Sequence, residues 1–459
     1  MTEKSNELLN LDDELEPFYK FFSENNFIEA LSVLNNLEKN FQNNDFLYTL
    51  GGDCYSELKQ YDLAINCYDE AIKLNTLNAE AYNNKANALE KIHKFDEAII
   101  CAESAIKINP AFSLAFFNLG VNAMHQRLFD LSKKSFDMAI KLEPNFAKYQ
   151  FAKSNLLLLI GDYKNGWKLF ESRWKLDKLF SPKLKTKLPI WTGSKNVRLL
   201  VWGEQGVGDQ IMYSALIPDL INKCPDVSVM VDPRLVNLLN RSLGNLCTFY
   251  PDNEDLPFNY DEHIAIGSLC QYLRNEEKDF ENSRYGFLKD DNIKTSNFRK
   301  DILALKPEYN KLCGISWKSS SSKGVLDKIL LKDFVQLLDL KGYIFVNLQY
   351  GDTENEIKEV KDELGIDIIS YQKVDNFNDI DGLTSLIQAC DTVVSVDNIT
   401  CQLTGSLGKE THIILNHNSW WGWMANRTDS PWYDSVKLYR RDFNESLSSV
   451  FKKIKRNIL

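Results

Sequence analysis

The first third of the chain repeats a pattern of small, aromatic and polar positions every 34 residues. Each period is long enough for two amphipathic helices, whose apolar faces meet where a small residue allows close approach. The small positions are Ala30, Ala64, Ala98 and Ser132, and the aromatic positions are Phe27, Tyr61, Phe95 and Phe129. Pro110 and Pro144 close two of the periods. The pattern therefore predicts a stack of helical pairs over about residues 11–146.

This period is identified as that of the tetratricopeptide repeat, and YKNGWKLFESRW (residues 163–174) resembles part of a fifth, irregular repeat. We predict a repeat array over residues 11–176, with a groove lined by the first helix of each pair. Asn84 and Asn118 occupy the same position in successive repeats. They resemble the asparagines that hold a peptide backbone in O-linked N-acetylglucosamine transferases, although asparagine is common there in any such repeat.

Beyond a polar connector at residues 177–197, short apolar strands alternate with helical patterns, which is typical of parallel sheets. In a first half, residues 198–305, strands are predicted at 198–202, 227–231, 246–249 and 263–266. In a second half, residues 306–459, they are predicted at 311–317, 343–348, 366–370, 391–396 and 411–415. The predicted fold is thus an all-α repeat superhelix followed by an α/β domain of two Rossmann-like halves. Ligands of such sheets bind at the carboxyl ends of the strands, in the cleft between the halves.

Composition narrows the classes of partner. A net charge of −10 over 459 residues disfavours binding to nucleic acid or to an anionic membrane. No apolar run approaches the roughly 18 residues of a membrane span, and the first ten residues lack a secretory pattern, so we expect a cytoplasmic protein. The nine cysteines stand singly and are expected to be buried thiols.

The stretch GEQGVGDQI (residues 203–211) joins the first predicted strand to a helix and is the first candidate for chemistry. Its glycines are spaced similarly to a dinucleotide fingerprint, with Asp232 as a possible ribose-binding acid. Asp209, however, would place a carboxylate in the first helical turn, where it would repel a pyrophosphate. The helix dipole keeps such a carboxylate ionised near neutral pH, so that it can act as a general base. An ordinary helix cap explains Asp209 equally well.

Two polar turns in the second half are candidates for binding phosphate. The loop GISWKSSSSKG (residues 314–324) offers the ammonium and hydroxyl groups of Lys318, Ser319 and Lys323, although a solvated loop has the same composition. The second turn leads into a helix whose amides, with the Thr400 hydroxyl, would point into the cleft. Its residues are Asp397, Asn398, Ile399 and Thr400. A plain capped helix ending at Gly408 is the alternative.

In this order the motifs resemble bacterial proteins that join tetratricopeptide repeats to a GT-B glycosyltransferase domain akin to the heptosyltransferases of glycosyltransferase family 9. The resemblance covers nearly the whole chain. It rests on YKNGWKLFESRW, WGEQGVGDQI, GISWK, VNLQYGD, VSVDN with LTGSLGK, and RTDSPWYDSVKLYRR. It implies transfer of a sugar from a nucleotide-sugar donor with inversion and without an essential metal or other cofactor.

The resemblance also implies residue roles. Asp209 would deprotonate the acceptor hydroxyl, beside Gly206 and Gly208 on the acceptor side. The donor side would comprise Lys323 or Lys318 at the phosphates, Ser319, Gln349 near the ribose, and the turn from Asp397 to Thr400. Where the heptosyltransferase pattern has a histidine, this chain has Gln402. Glutamine cannot carry a positive charge, a departure that bears on the identity of the sugar and on activity itself.

Several alternatives stay open at this level. The tryptophan-rich stretch at residues 418–433 is expected to be a packed loop rather than a sugar-stacking surface. Asp379 and Asp381 form a D-x-D that we interpret as helix capping, not as a metal site. The acceptor could be a protein in the repeat groove, a carbohydrate or a lipid-linked molecule. A repeat scaffold with a degenerate nucleotide-binding domain, or a nicotinamide-dependent enzyme, are the rival hypotheses.

Overall fold

The computed structural model describes residues 11–176, 182–254, 259–281, 284–319, 329–442 and 445–459. Lys323 lies outside them. The chain divides into two compact units, Met1–Leu156 and Leu157–Leu459. Among the described residues, no helix combines the length and the apolar character needed to span a bilayer.

The first unit consists of paired helices, as the 34-residue period predicts. Their bounds are α1 Leu11–Glu14, α2 Glu16–Ser23, α3 Phe27–Leu37, α4 Asp45–Glu57, α5 Tyr61–Leu74, α6 Ala79–Lys91, α7 Phe95–Ile108, α8 Ser113–His125, α9 Phe129–Leu142 and α10 Ala147–Leu159, which extends into the second unit. The predicted small positions are fully buried between the helices. The chain between the two helices of a pair passes through a left-handed residue at the same repeat position. These residues are Asn25, Lys59, His93, Arg127 and Gly161.

Two glycines in the first helices of the pairs allow an aromatic ring to pack against the backbone. A Cβ atom at Gly52 would lie 2.4 Å from the Tyr68 ring, and one at Gly120 would lie 2.7 Å from the Phe136 ring. Both rings are buried. The repeats therefore depend on close helix approach as well as on their amphipathic faces.

The second unit begins with α11 (Tyr163–Phe170) and a 3-10 helix (Glu171–Lys175), followed by a four-stranded sheet. The strands are β1 Leu199–Trp202, β2 Val227–Val231, β3 Thr248–Pro251 and β4 Glu262–Ala265. Their order is β3-β2-β1-β4, and all pairs are parallel. The accompanying helices are α12 Val207–Ser214, α13 Ile217–Ile221, α14 Val236–Leu243 and α15 Cys270–Leu273.

A six-stranded parallel sheet follows, in the order β10-β9-β8-β5-β6-β7. Its strands are β5 Lys311–Ser316, β6 Tyr343–Asn347, β7 Ile368–Ile369, β8 Thr392–Val396, β9 Thr411–Leu415 and β10 Val436–Arg440. The helices are α16 Asn292–Leu305, α17 Leu331–Leu338, α18 Glu354–Leu364, α19 Ile380–Ala389, α20 Ile399–Ser406 and α21 Leu447–Ile458. Helix α16 lies before residue 306, where the second half was predicted to begin, but it packs on α19, a helix of that second half.

The strand orders determine where a ligand site can form. In the first sheet the chain leaves β1 toward β2 and later returns to its other side as β4, and in the second it leaves β5 toward β6 and returns as β8. Such points of reversal open a crevice at the carboxyl ends of the strands. The turn at residues 203–206 follows β1 and leads into α12, and the turn at Asp397 and Asn398 follows β8, so both predicted turns lie at these points.

Candidate active site

The turn after β1 holds Asp209 in the first turn of α12. The Asp209 Oδ2 atom accepts a hydrogen bond from the backbone amide of Gly206, at 3.2 Å. Asp209 therefore does cap its own helix. Glycine is needed at Gly203, because a Cβ atom there would lie 2.7 Å from Gln210 Oε1, which in turn accepts from the Asp232 amide at 2.9 Å.

Asp209 differs from an ordinary capping aspartate in its acidity, because its pKa is raised to about 6. The largest cause is burial by surrounding protein, and the Glu204 and Asp397 carboxylates act in the same direction against the Gly206 amide. The residue as a whole nevertheless retains partial solvent exposure. A helix dipole alone would have lowered this pKa, so desolvation outweighs it. The carboxylate is mostly ionised at neutral pH and basic enough to accept a proton.

The opposite wall is formed by the start of α20. Asn398 Oδ1 accepts from the Thr400 amide at 2.9 Å, and Asn398 Nδ2 donates to Ser316 Oγ at 2.7 Å and to the Lys318 carbonyl at 3.1 Å. Asn398 thus ties the end of β8 to the end of β5. Thr400 is fully buried, and its hydroxyl donates to Ser316 Oγ at 3.4 Å, so contact of this hydroxyl with a ligand stays a prediction.

Gln349 and Lys318 are occupied by protein partners. Gln349 Oε1 accepts from the Ser316 hydroxyl and from the amides of Trp317 and Lys318, at 3.0, 2.9 and 2.9 Å. The Gln349 side chain is buried, so the structure shows it fixing the backbone after β5, and a ribose contact stays a prediction. The Lys318 ammonium forms an ion pair with Glu356, whose other oxygen accepts from Trp317 Nε1 at 2.7 Å. Ser319 is partly exposed beside Lys318.

The two walls meet at Gly208. A Cβ atom there would lie 3.4 Å from Gln402 Cγ and 3.8 Å from Ile399 Cα, so glycine lets the starts of α12 and α20 approach closely. Gln402 is buried, and its Oε1 atom accepts from the Tyr433 hydroxyl at 2.6 Å. The structure therefore brings together residues of both halves that the sequence analysis singled out. These are Asp209, Gly208, Asp397, Ile399 and Gln402.

The tryptophan-rich loop holds Asp397, a role that sequence analysis missed. Trp423 Nε1 donates to Asp397 Oδ1 at 2.7 Å, and Arg440 donates to the carbonyls of Trp423 and Met424. Trp421, Trp423 and Tyr433 are buried. The expected packed loop is what the structure shows. Only the density of tryptophans near a candidate site could have suggested the link to Asp397.

An ion pair and a hydrogen bond also join the two halves away from Asp209. Arg241 forms an ion pair with Asp381, and Arg234 donates to the Phe377 carbonyl at 3.1 Å. Asp232 pairs with Arg234 at 2.8 Å, so the acid proposed for a dinucleotide ribose already has a cationic partner.

The D-x-D motif has structural roles. Asp379 Oδ1 accepts from the Gly382 amide at 2.8 Å and caps α19, as expected, and Asp381 is engaged by Arg241. In the part of the chain that the structure describes, no group of three His, Cys, Asp or Glu side chains is arranged to hold a metal ion.

The asparagines of the repeats belong to a continuous hydrogen-bonded chain. Asn118 Nδ2 donates to Asn83 Oδ1 at 2.8 Å, Asn83 Nδ2 donates to Asn84 Oδ1 at 3.0 Å, and Asn84 Nδ2 donates to Asp53 Oδ1 at 2.9 Å. Tyr68 also donates to Asp53, whose pKa burial raises to about 6. Asn84 is partly exposed and Asn118 is buried. Contact of either residue with a peptide stays a prediction.

Comparison with known proteins supports the repeats. Family models described as "TPR repeat" and "Tetratricopeptide repeat" match residues 52–92 and 79–112. Protein FlbA of Caulobacter vibrioides is 29% identical over 322 residues, which is 64% of this chain and 52% of FlbA. The chain therefore spans about half the length of this relative.

Solved structures resemble the repeat fold in part. A MamA RS-1 double mutant is 20% identical, with a TM-score of 0.33 over 35% of this chain and 90% of MamA. The Arabidopsis OM64 TPR domain is 28% identical, with a TM-score of 0.24 over 24% of this chain and 93% of that domain. The family models and the observed sheets give the architecture of this chain, which is tetratricopeptide repeats followed by an α/β unit with parallel sheets.

Proposed function

We propose that this protein is a glycosyltransferase that moves a sugar from a nucleotide-sugar donor to an acceptor hydroxyl with inversion. One observation carries the proposal. A carboxylate with a pKa of about 6 lies at the carboxyl end of β1 and faces the start of α20, at the carboxyl end of β8. A base and an anion-binding helix start, on opposite sides of one interface, are the two groups that such a transfer needs.

The chemistry divides between the two walls. Asp209 accepts the proton of the acceptor hydroxyl as its oxygen attacks the anomeric carbon, and the bond from that carbon to the diphosphate breaks in the same step. The negative charge passes to the nucleoside diphosphate, which the positive end of the α20 dipole favours. Two parallel sheets with facing points of reversal support a GT-B arrangement for this reaction.

The donor site would lie at the ends of β5, β6 and β8. Lys318 reaches the phosphates only if its ammonium exchanges Glu356 for the diphosphate, a change that costs one ion pair and gains a more highly charged partner. Ser319 would add a hydroxyl. Lys323 remains the second predicted lysine, and Asn398 and Gln349 would keep the turns in place.

The repeats support a protein or peptide partner, since stacked helical pairs present a groove for an extended chain. We propose that this partner is the sugar acceptor, with Asn84 and Asp53 at its binding surface. Carbohydrate and lipid-linked acceptors are the other outcomes that an acceptor screen would reveal.

A donor screen tests the function. Release of nucleoside diphosphate from uridine, adenosine and guanosine diphosphate sugars would be followed with cell extract as the acceptor, for wild type and Asp209→Asn. Asp252→Asn is the matched control, because Asp252 also follows a strand of the first sheet and also has a raised pKa. We expect at least about 100-fold loss in Asp209→Asn and none in Asp252→Asn. Equal turnover in both variants would refute the role of Asp209.

A non-catalytic repeat scaffold is the second candidate function. It is favoured by Gln402, whose carbonyl oxygen is already occupied by Tyr433 where the resemblance has a cationic side chain. Under this hypothesis, calorimetry would show binding of a nucleoside diphosphate sugar that is neither hydrolysed nor transferred. Wild type and Asp209→Asn would then behave alike in the donor screen.

A further inference from the structure

We propose that Arg173, which lies just beyond α11, is a positioning residue of the candidate active site that holds the glycine-rich turn through Glu204. The proposal rests on the proposed function for its consequence in catalysis. The sequence places Arg173 at the end of an irregular repeat. The structure places it in contact with the loop that presents Asp209.

Arg173 and Glu204 form a buried, bidentate ion pair. Arg173 Nε donates to Glu204 Oε2 at 3.0 Å, and its Nη2 donates to Glu204 Oε1 at 2.6 Å. Both side chains are at most 2% exposed. Glu204 Oε1 also accepts from the Gly267 amide at 3.2 Å. A planar guanidinium fixes the orientation of a carboxylate in a way that an ammonium cannot.

The surroundings of Arg173 fix its own position. The guanidinium lies 4.3 Å from the centres of both the Phe170 and the Trp174 rings, and it donates to Ser268 Oγ at 2.7 Å. A buried ion pair adds little net stability compared with an apolar pair of similar volume. Conformational specificity is therefore the better explanation for placing one here.

Glu204 lies in the glycine-rich turn after β1 that presents Asp209. It follows Gly203 at the end of β1 and precedes Gln205, which has a left-handed backbone with φ of 62°. Gly206, next in the chain, donates the hydrogen bond that orients Asp209. Holding Glu204 therefore fixes the backbone from which the base projects.

The same stretch, residues 157–175, also contacts the loop that holds Asp397. The Leu159 carbonyl accepts from the Ala425 amide at 2.8 Å, and the Tyr163 hydroxyl donates to Met424 Sδ at 3.0 Å. The Trp167 ring packs edge-on against Trp421, with centres 5.1 Å apart. One stretch of chain thus braces the loops behind both aspartates.

The ion pair is also coupled electrostatically to the base. The charged and titratable groups that face Asp209 are Glu204 on its own turn, Asp397 across the interface, and the hydroxyls of Tyr213 and Tyr433. The Glu204 carboxylate raises the pKa of Asp209. Removing the charges of the pair together should therefore lower that pKa.

The test is the double variant Arg173→Met/Glu204→Gln, which leaves no unpaired buried charge. We expect the thermal midpoint to stay within about 3 °C of wild type. Turnover should be at least about 10-fold lower. The acid limb of the pH–rate profile should move to lower pH by about 0.5 unit or more. The matched control is Arg274→Met/Asp219→Asn. It removes the ion pair between another buried arginine of the same half and Asp219, with N···O at 2.7 Å. The control should leave the acid limb unmoved.

A second readout separates this inference from the proposed function. Carbon-13 NMR of aspartate carboxyl groups, assigned with Asp209→Asn, gives the pKa of Asp209 without any turnover. A fall in this pKa reports the loss of the Glu204 charge, whereas hydrogen exchange of the Gly206 amide, which donates to Asp209, reports whether the turn is still held. If wild type transfers no sugar but the Gly206 amide exchanges faster in the double variant than in the control, the positioning role stands and the proposed function fails. An unchanged Gly206 exchange rate in the folded double variant overturns the inference, as does an equal change in the control. Should the double variant not fold, Glu204→Gln alone gives the same comparison, because Arg173 keeps Glu171 as a partner at 2.7 Å.

Discussion

Replacing Asp209 by asparagine should stabilise the protein at neutral pH, which is the opposite of what an ordinary helix cap predicts. Asparagine keeps an oxygen that can accept from the Gly206 amide, but it removes a carboxylate that the surrounding protein desolvates. An ordinary acidic residue in a first helical turn would instead lose about 0.3–1 kcal/mol on neutralisation. The sign of the change therefore distinguishes the two interpretations of this residue.

The magnitude follows from the pKa of Asp209. Burial raises it from 3.8 to about 6 in the folded protein. Because the folded-state pKa lies above the unfolded one, the carboxyl group favours folding when protonated and opposes it when ionised. The linkage amounts to a cost of about 3 kcal/mol at pH 7.5 and about 1.6 kcal/mol at pH 5. Asp209→Asn removes that cost, which corresponds to a rise of about 5 °C in the thermal midpoint at pH 7.5.

Differential scanning calorimetry of the full chain at pH 5 and pH 7.5 checks this. The transition of the α/β unit should move up in Asp209→Asn, and the gain should be roughly halved at pH 5. Asp379→Asn is the matched control, since Asp379 caps α19 and asparagine caps equally well. A lower midpoint for Asp209→Asn at pH 7.5, or a gain that does not depend on pH, would contradict the account.

Three further predictions concern other parts of the chain. Trp423→Phe keeps an aromatic ring but removes the hydrogen-bond donor to Asp397. Turnover, measured by steady-state kinetics, should fall about 10-fold, and the free energy of unfolding, measured in urea, should fall by about 1 kcal/mol. Gly52→Ala should lower the free energy of unfolding of the repeats by about 1–3 kcal/mol in urea, because its Cβ would overlap the Tyr68 ring. Gly51→Ala, where the nearest atom lies at 3.9 Å, should raise it by up to about 1 kcal/mol, and equal effects of the two alanines would refute the packing argument.

The sequence predicted elements well wherever a period or an apolar run carries the signal. The 34-residue spacing locates the helices of the repeats, and the apolar runs locate nine strands to within about two residues. Strand β10 was missed, because Lys437 and Arg440 interrupt the continuous apolar run by which the other strands were recognised. The left-handed turns at Lys59, His93 and Arg127 also escaped prediction, since only tertiary packing selects that backbone for such side chains.

The sequence predicted several of the residues that meet at the candidate site, but not the directions of their side chains. Asp209 and Asp397 follow strands at points of reversal, which the order of strands in the chain suggests. Whether Thr400 and Gln349 face inward depends on the end of β5, to which both are hydrogen-bonded. The pairing of Arg173 with Glu204 joins residues 31 positions apart in different elements, and no local pattern indicates it.

The most direct test of the central claim is the pH dependence of kcat/KM for sugar transfer in wild type, Asp209→Asn and Asp252→Asn. The account predicts an acid limb near pH 6 for wild type and Asp252→Asn, set by Asp209, together with loss of transfer in Asp209→Asn. Transfer by Asp209→Asn at the wild-type rate, with the same acid limb, would contradict it.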